Sequence, residues 1–288
     1  MNQPRLRVLQ LNAGTVLEPE WDRRRHEVVA WIRRLEPDVV CLEEIHASGD
    51  GPSSAHRVRD ELGEPWHVEF GGERFGPGFS NDPALRFGSA VLSQFPIDHF
   101  EYHALPLAAD PDEFVVKVPW ELVHARTAGI DVFACHLAPA PTHAPHRVVQ
   151  VLAIDEIIRT VTAGSTGSMP SILCGDFNAE PDSDEIRFLT SLTTIAGRTT
   201  FFQDAWRVAG NPDAGYTNDW TTHPLAAGLN VHRKRIDYVF VGDPFLRTGG
   251  AGRVLRADLA CHEPLTGIQA SDHAGLVVDI RWPDRPTA

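Results

Sequence analysis

Short apolar runs alternate along the chain with longer segments in which apolar residues recur every three or four positions. The short runs have the length of β-strands, and the periodic segments indicate amphipathic helices. Strands are expected at Arg5–Leu11, Val39–Leu42, Ser89–Leu92, Phe114–Val118, Trp120–Arg126, Ile130–His136, Ser171–Cys174, Ile236–Val241 and Gly275–Arg281. Helices are expected at Pro19–Leu35, Ser54–Leu62, Arg147–Thr162 and Asp184–Leu192. The segment Gly71–Pro83 is rich in Gly, Pro and polar residues, which is typical of a loop.

The order of these elements indicates the class of fold. Some predicted strands follow one another directly, whereas others are separated by helices, which favours mixed β-sheets with helices outside over a doubly wound parallel sheet. No internal repeat and no linker long enough to separate two domains is present in the 288 residues. We therefore expect one domain over residues 1–288, with a core from about residue 5 to about residue 282.

The chain carries a formal net charge of −13, from 39 acidic and 26 basic side chains. An acidic surface repels polyanions, so strong non-specific binding to nucleic acid is not expected. Bound metal ions would neutralise several carboxylates, and a local basic patch can act on an acidic protein. Charge alone therefore leaves open a nucleic-acid substrate.

Several features bear on where the protein acts. The first apolar strand begins near Arg5 without a long apolar segment before it, so no signal peptide is expected. No stretch approaches ~20 uninterrupted apolar residues, so no membrane span is expected. Cys41, Cys135 and Cys174 lie inside apolar runs, and no C-x-x-C pair suggests zinc or redox chemistry. We expect a reduced, cytoplasmic protein that acts as a monomer.

Polar side chains gather where the apolar strands end. Six segments have this placement: Leu9-Gln-Leu-Asn12, Cys41-Leu-Glu-Glu44, Cys135-His136-Leu137, Cys174-Gly-Asp-Phe-Asn178, Arg235-Ile-Asp-Tyr238 and Ser271-Asp-His273. Ligand sites of layered α/β folds commonly form at strand ends, so we expect these segments to meet. Asp237 adds to this expectation, since a carboxylate in an otherwise apolar strand is costly unless it is paired.

Together the six segments resemble the endonuclease/exonuclease/phosphatase superfamily, which includes deoxyribonucleases, abasic-site endonucleases, sphingomyelinases and inositol polyphosphate 5-phosphatases. The resemblance extends from about Arg5 to about Trp282, and its most specific part is Gly-Asp-Phe-Asn followed about a hundred residues later by Ser-Asp-His. It implies a four-layer α/β sandwich of the DNase I type, with two mixed β-sheets face to face and helices outside. It also implies a phosphoester hydrolase that depends on a divalent metal ion.

The metal ligands implied by the resemblance are Glu44, Asn12 and Asp272, and the expected ion is Mg²⁺ or Mn²⁺. Oxygen ligands and the lack of cysteine suit such hard cations, which stabilise negative charge on phosphate oxygens. The family usually has Gln where this chain has Glu43. Glu43 and Glu44 would point to opposite faces of a continuous strand, so Glu43 either adds a charge near the site or is solvated.

The catalytic groups implied by the resemblance are Asp176, Asn178, Asp237, His273 and His136. In the family the first of these orients or deprotonates the attacking water, and Asn178 holds a phosphate oxygen or that carboxylate. His273 would contact the scissile phosphate with Asp237 as its orienting partner. His136 is a candidate phosphate ligand or general acid for the leaving group.

Substrate binding is assigned to the basic segment before Asp237 and to an aromatic residue in the preceding loop. Arg233, Lys234 and Arg235 run directly into that aspartate, so we expect them at the rim of the site, although Arg235 could instead pack against Asp237 or the neighbouring strand. Trp220 could stack on a base or headgroup, or simply pack within its loop. The basic residues Arg23–Arg25 are expected on a solvated outer face.

Three functions compete at this point. The first is a nuclease or another phosphodiesterase that acts on nucleic acids or nucleotides, which the sequence favours. The second is a phosphatase or a phospholipase C-like enzyme that acts on small phosphoesters or lipid headgroups. The third is a non-catalytic relative that only binds, which the complete set of polar residues disfavours.

Overall fold

The computed structural model describes residues 4–16, 18–164, 167–221 and 232–286. Its strands are, in chain order, β1 (Arg5–Asn12), β2 (Val39–Ser48), β3 (His67–Arg74), β4 (Leu85–Ser93), β5 (Ile97–Ala104), β6 (Glu121–Thr127), β7 (Ile130–His136), β8 (Ile172–Asp176), β9 (Gln203–Asp204), β10 (Asp237–Val241), β11 (Val254–Ala260) and β12 (Gly275–Arg281). Its α-helices are α1 (Trp21–Leu35), α2 (Ser54–Leu62), α3 (Glu113–Lys117), α4 (Ala144–Thr162), α5 (Asp184–Leu189) and α6 (Ala205–Val208).

The strands form two six-stranded mixed sheets. The first has the order β11-β12-β1-β2-β4-β3, and the second has the order β5-β6-β7-β8-β10-β9. In each sheet one central pair is parallel, β1 with β2 and β7 with β8, and the neighbouring pairs are antiparallel. The predicted mixed sheets are therefore confirmed.

The two sheets pack face to face. Val8 of β1 and Val91 of β4 share one buried cluster with Val132 of β7 and Val239 of β10, so this cluster is the core between the sheets. A second cluster joins the outer face of the second sheet to α4 and α5, and a third joins the outer face of the first sheet to α1 and α2. The predicted four-layer α/β sandwich is confirmed.

Four of the strands were not predicted, and all four lie at sheet edges: β3 and β11 in the first sheet, and β5 and β9 in the second. An edge strand buries one face at most, so its apolar pattern is weak. The predicted loop Gly71–Pro83 is wrong at its start, because Gly71–Arg74 belongs to β3. Tight packing explains the glycine there, since a Cβ on Gly71 would lie 2.3 Å from Cγ1 of Val123 in the opposite sheet.

The strand predicted at Phe114–Val118 is wrong, because these residues form helix α3. The Asp112 carboxylate accepts a hydrogen bond from the Val115 backbone N–H (2.8 Å) and so caps the helix. Only Val115 of the helix is buried, and Val116 is exposed. A short apolar run does not distinguish a strand from one helical turn unless the cap is recognised.

None of the helices in the described ranges has both the length and the apolar character needed to cross a bilayer. All four cysteines are buried and free.

Candidate active site

The site lies at one end of the core between the sheets, where the inward-facing positions change from apolar to polar. In β1 the inward-facing Val8 belongs to the inter-sheet core, and Gln10 and Asn12 continue the same face. The same change occurs at the ends of four other strands. Their inward-facing polar residues are Glu43 in β2, His136 in β7, Asp176 in β8 and Asp237 in β10.

Close approach of β7 and β8 places His136 beside Asp176. The two residues are paired in the parallel register of these strands. A Cβ on Gly175 would lie only 2.1 Å from the backbone oxygen of Cys135, so this approach requires glycine. The His136 Nε2 atom then lies 3.6 Å from Oδ2 of Asp176.

A β-bulge brings two consecutive glutamates into the site. The pairing of β2 with β4 shifts register between Leu42 and Ile45, and Glu44 adopts a left-handed backbone conformation (φ 56°). Glu43 and Glu44 were expected to point to opposite faces of a continuous strand. The bulge interrupts the regular pairing at this point, so that expectation does not apply. Glu43 is fully buried, so the solvated alternative predicted for it is wrong.

Two amides tie the strand ends together across the sheets. The Asn12 amide nitrogen lies 3.2 Å from Oε1 of Glu44 and 3.0 Å from Oδ2 of Asp176, and it donates to both. The Gln10 amide nitrogen donates to Glu43 Oε2 (2.7 Å) and to Asp237 Oδ1 (3.0 Å). These bridges hold four buried carboxylates in one pocket.

His273 and Asp237 form a buried pair. The Nδ1 atom of His273 lies 2.8 Å from Oδ2 of Asp237, and neither residue is more than 7% exposed. Burial lowers the pKa of His273, but the carboxylates of Asp237, Asp272 and Asp176 outweigh it and raise that pKa well above its usual value. The imidazole therefore carries a positive charge near neutral pH and can donate from Nε2.

Asp176 faces this charged imidazole across 3.9 Å, measured between Oδ2 and Nε2 of His273. Burial and the nearby Asp237 raise the pKa of Asp176 to about 7. The backbone N–H of Asn178 donates to Oδ1 of Asp176 (2.8 Å), which fixes the carboxylate orientation. A carboxylate with a pKa near neutrality is suited to accept a proton from water.

His136 differs in charge from His273. Burial and the positive charge of His273 lower the pKa of His136 to about 3, so its ring is neutral. The Asn178 side-chain amide donates to Nε2 of His136 (3.1 Å), which assigns the ring proton to Nδ1. With the proton on Nδ1, the pocket-facing Nε2 accepts, so His136 could donate to a phosphate oxygen only after the proton moves to Nε2.

Asp272 lies beside Glu44 on the other side of the pocket. Burial and the Asp272 carboxylate raise the pKa of Glu44 to about 8. Two carboxylates crowded in this way are destabilised without a cation, and a divalent ion between them would relieve the repulsion. The Ser271 hydroxyl, which donates to the Asn12 carbonyl (2.6 Å), positions this segment against β1.

A second set of ligand-competent atoms lies within the pocket. One atom from each of Asp176, Asp237 and His273 lies within 4.8 Å of the others, so these residues could hold a metal ion. In this structure the Nδ1 atom of His273 is engaged with Asp237. The pocket therefore contains this acidic–histidine group and, separately, the predicted oxygen ligands of Asn12, Glu44 and Asp272.

Sequence reasoning missed two residues that shape this end of the pocket. Arg24 was expected on a solvated face, but it is 1% exposed. Its guanidinium donates to the carbonyl oxygens of Ala13 (2.8 Å) and Ala270 (2.9 Å), so it joins the loop after β1 to the segment before Ser271. Glu18 is partly buried, and burial and the Asp272 carboxylate raise its pKa to about 7.

Of the four predicted substrate-binding residues, one is buried in the protein and three are at least partly exposed. Arg235 is not at the rim as predicted, because its guanidinium is buried and donates to both carboxylate oxygens of Asp204 (3.0 and 2.7 Å). Lys234 pairs through its backbone with Asn218, and Trp220 is 44% exposed. The half-exposed Arg233 stacks on the ring of Tyr216 at 4.7 Å, so it remains available to solvent and ligand.

A shallow cavity of about 340 Å³ adjoins Arg233 and Tyr216. Asp219 and His262 also line it. The neighbouring Thr217 accepts a hydrogen bond from the backbone N–H of Asp237 (3.2 Å), so the same loop borders both the cavity and the catalytic pocket.

Several known proteins are similar to this chain in sequence or in fold. The Escherichia coli (strain K12) protein YbhP is 27% identical over 157 residues, which cover 51% of this chain and 56% of YbhP. The chain thus matches about half the length of this relative. An endonuclease/exonuclease/phosphatase from Beutenbergia cavernae DSM 12333 is 26% identical, with a TM-score of 0.67, and covers 100% of this chain and 74% of its own.

A further similar structure is that of D. rerio TDP2 in complex with a single-strand DNA product. It is 17% identical, has a TM-score of 0.68, and covers 96% of this chain and 98% of its own, which shows a shared fold. The profile of the Endonuclease/Exonuclease/phosphatase family matches residues 9–273, a range that includes every polar strand end of the pocket. The chain therefore belongs to the endonuclease/exonuclease/phosphatase family of phosphoester hydrolases.

Proposed function

We propose that this protein is a phosphodiesterase of nucleic acids or nucleotides that depends on Mg²⁺ or Mn²⁺ and uses a water molecule as nucleophile. The observation that carries the proposal is the buried cluster in which His273 lies 2.8 Å from Asp237 and 3.9 Å from Asp176, while the Asn12 amide joins Asp176 to Glu44. These groups supply a phosphate ligand, a base for water and ligands for a cation.

The proposed metal ligands are Asn12, Glu44 and Asp272, and Asn12 would have to turn its amide, because its Oδ1 accepts from the Gly14 N–H (3.1 Å) while its nitrogen faces Glu44. Their side chains offer oxygen atoms and no sulfur, which suits Mg²⁺ or Mn²⁺ better than Zn²⁺. The bound ion would withdraw electron density from a phosphate oxygen and stabilise the charge that develops during attack. Burial and then repulsion from Asp272 raise the pKa of Glu44, and the repulsion supports this assignment because a bound cation would offset it.

The chain's own residues divide the remaining work. Asp176 orients the attacking water and accepts its proton, and Asn178 holds that carboxylate through its backbone N–H. His273 donates from Nε2 to a phosphate oxygen, while Asp237 keeps its ring charged and aligned. His136 is proposed as a second phosphate ligand that would donate from Nε2 once its ring proton lies there.

The charge of the pocket favours a diester over a monoester. Across the described ranges, the charged contacts of Asp176 and Asp272 are with His273, 3.9 Å away in each case, whereas the neutral ring of His136 lies 4.0 Å from Glu44 and 3.6 Å from Asp176. The buried carboxylates of the pocket outnumber its one imidazolium, so a phosphodiester with a single negative charge meets less repulsion there than a monoester with two. The D. rerio TDP2 complex with a DNA product supports a nucleic-acid strand as substrate.

The cavity beside Arg233 is proposed as the subsite for the strand next to the scissile bond. An exposed guanidinium stacked on Tyr216 can pair with a backbone phosphate, and the exposed Trp220 on the same loop can stack on a base. The loop reaches the catalytic pocket through Thr217, so binding here would position the bond near His273.

A substrate panel tests the proposal. Protein stripped with EDTA is assayed with Mg²⁺, Mn²⁺ or Zn²⁺ on a single-stranded oligonucleotide, bis(p-nitrophenyl) phosphate, p-nitrophenyl phosphate and sphingomyelin. We expect cleavage of the oligonucleotide and of bis(p-nitrophenyl) phosphate, and only when Mg²⁺ or Mn²⁺ is present. Faster turnover of the monoester or of sphingomyelin would assign the protein to the phosphatase or phospholipase class instead.

A further inference from the structure

A second group of metal-binding side chains lies on edge strand β5, away from the catalytic pocket. His99, Glu101 and His103 alternate along this strand and therefore share one face of it. His124 on the neighbouring strand β6 is paired with Glu101 in the register of the sheet. Three imidazoles thus surround one carboxylate.

The distances suit a single ion. The Oε2 atom of Glu101 lies 3.6 Å from Nε2 of His99 and 3.6 Å from Nε2 of His103. One ligand atom from each of His99, Glu101 and His124 lies within 4.8 Å of the other two. Ligands of a tetrahedral zinc ion stand about 3.3 Å apart, so small side-chain rotations would complete the coordination.

His124 is positioned as a metal ligand would be. Its side chain is 3% exposed, and its Nδ1 atom has no hydrogen-bond partner among the residues that the structure describes. Its Nε2 atom donates to Oδ1 of Asp131 (3.0 Å), and Arg126 holds that carboxylate from the other side. A carboxylate on one ring nitrogen fixes the tautomer and leaves the other nitrogen with a free lone pair.

The group is separate from the active site. On strand β5, Phe100 and Tyr102 pack into the core between the sheets. His99 and Glu101 alternate with them and face outward, each about half-exposed. The catalytic residues face inward, so the two sites lie on opposite faces of the second sheet.

We propose that His99, Glu101 and His124 form a binding site for a zinc-class transition metal ion, with His103 flanking the open position. The two imidazole ligands favour Zn²⁺ over the Mg²⁺ or Mn²⁺ proposed for the oxygen ligands of the active site. The ion would join edge strand β5 to β6 and so stabilise the edge of the sheet. Its role is structural, and catalysis would not require it.

Zinc stoichiometry tests this site. Full-length wild type and a double variant, His99→Ala with Glu101→Ala, are dialysed against Zn²⁺ in the presence of excess Mg²⁺, and bound zinc is measured by mass spectrometry. The matched control is His26→Ala with Glu61→Ala, since these residues form another surface His–Glu pair with 2.7 Å between Nδ1 and Oε1. We expect wild type and control to bind one zinc ion more than the double variant.

Two further measurements test whether His124 binds the zinc ion and whether the ion stabilises the protein. Zinc should shift the Nδ1 resonance of His124 in a histidine ¹⁵N spectrum. At a concentration a hundredfold above Kd, it should raise Tm by about 5 °C in wild type and not in the double variant. Equal zinc content in wild type and double variant, or an unshifted His124 Nδ1 resonance, would overturn the proposal.

Discussion

The buried pair of Arg235 and Asp204 allows a sharp test of which basic residues act in folding and which in binding. The Arg235 guanidinium donates to both oxygens of Asp204, and the two side chains are 6% and 4% exposed. The guanidinium also lies 4.7 Å from the centre of the Tyr238 ring. Arg233, two residues earlier, has a half-exposed side chain.

The change Arg235→Met keeps most of the side-chain volume and leaves the Asp204 carboxylate buried without its cation. Removing one partner of such a pair costs about 3–5 kcal/mol. For a chain of this size that loss lowers Tm by about 10 °C. The change Arg233→Gln should alter stability by less than about 0.5 kcal/mol, but it should raise KM up to about fivefold, because an exposed charge contact contributes up to about 1 kcal/mol.

Urea unfolding followed by circular dichroism measures the free energy of unfolding, and steady-state kinetics measures KM. The double variant Arg235→Met with Asp204→Asn is the control, and it should recover part of the loss because no lone charge remains. A loss below about 1 kcal/mol for Arg235→Met, or a large loss for Arg233→Gln, would refute the assignment of the two arginines.

Three further predictions concern the catalytic pocket. Glu44→Gln should raise the Mg²⁺ concentration for half-maximal activity by about tenfold or more, as measured by metal titration, and unchanged metal dependence would remove this residue from the ligand set. Asp176→Asn should lower kcat about 10²–10⁴-fold, with a metal affinity that calorimetry finds nearly unchanged. Loss of the calorimetric heat of metal binding would instead make Asp176 a metal ligand. Asp237→Asn should move the alkaline limb of the pH–rate profile to lower pH, because the carboxylate raises the pKa of His273 and burial alone lowers it; an unmoved limb would show that the limb belongs to another group.

The interior of the fold was predictable from apolar pattern, whereas its edges were not. The central strand β12 was predicted with its observed bounds, Gly275–Arg281, because both of its faces are covered. The edge strands β5 and β11 have a polar outer face, so neither shows the continuous apolar run of a central strand. Such strands form because a neighbouring strand provides backbone hydrogen-bond partners. The local sequence pattern does not indicate that such a neighbour is present.

The predicted active-site residues converge because each ends a strand whose apolar pattern was readable. Gln10 carried a comparable signal, a polar side chain between Leu9 and Leu11, although its bridge to Asp237 follows only from the assembled sheets. Arg24 carried no signal that distinguishes it from its arginine neighbours. Its burial depends on backbone carbonyls from two distant loops, which only the tertiary structure brings together.

The central claim is that a metal-activated water in this pocket attacks the phosphorus atom of a phosphodiester. The most direct measurement is hydrolysis of a single-stranded oligonucleotide in H₂¹⁸O by EDTA-treated protein, with and without Mg²⁺, followed by mass spectrometry of the products. The account predicts one ¹⁸O atom in the newly formed phosphate of each cleaved bond, and product only when Mg²⁺ is present. Equal cleavage in EDTA, or ¹⁸O in the alcohol product and none in the phosphate, would contradict it.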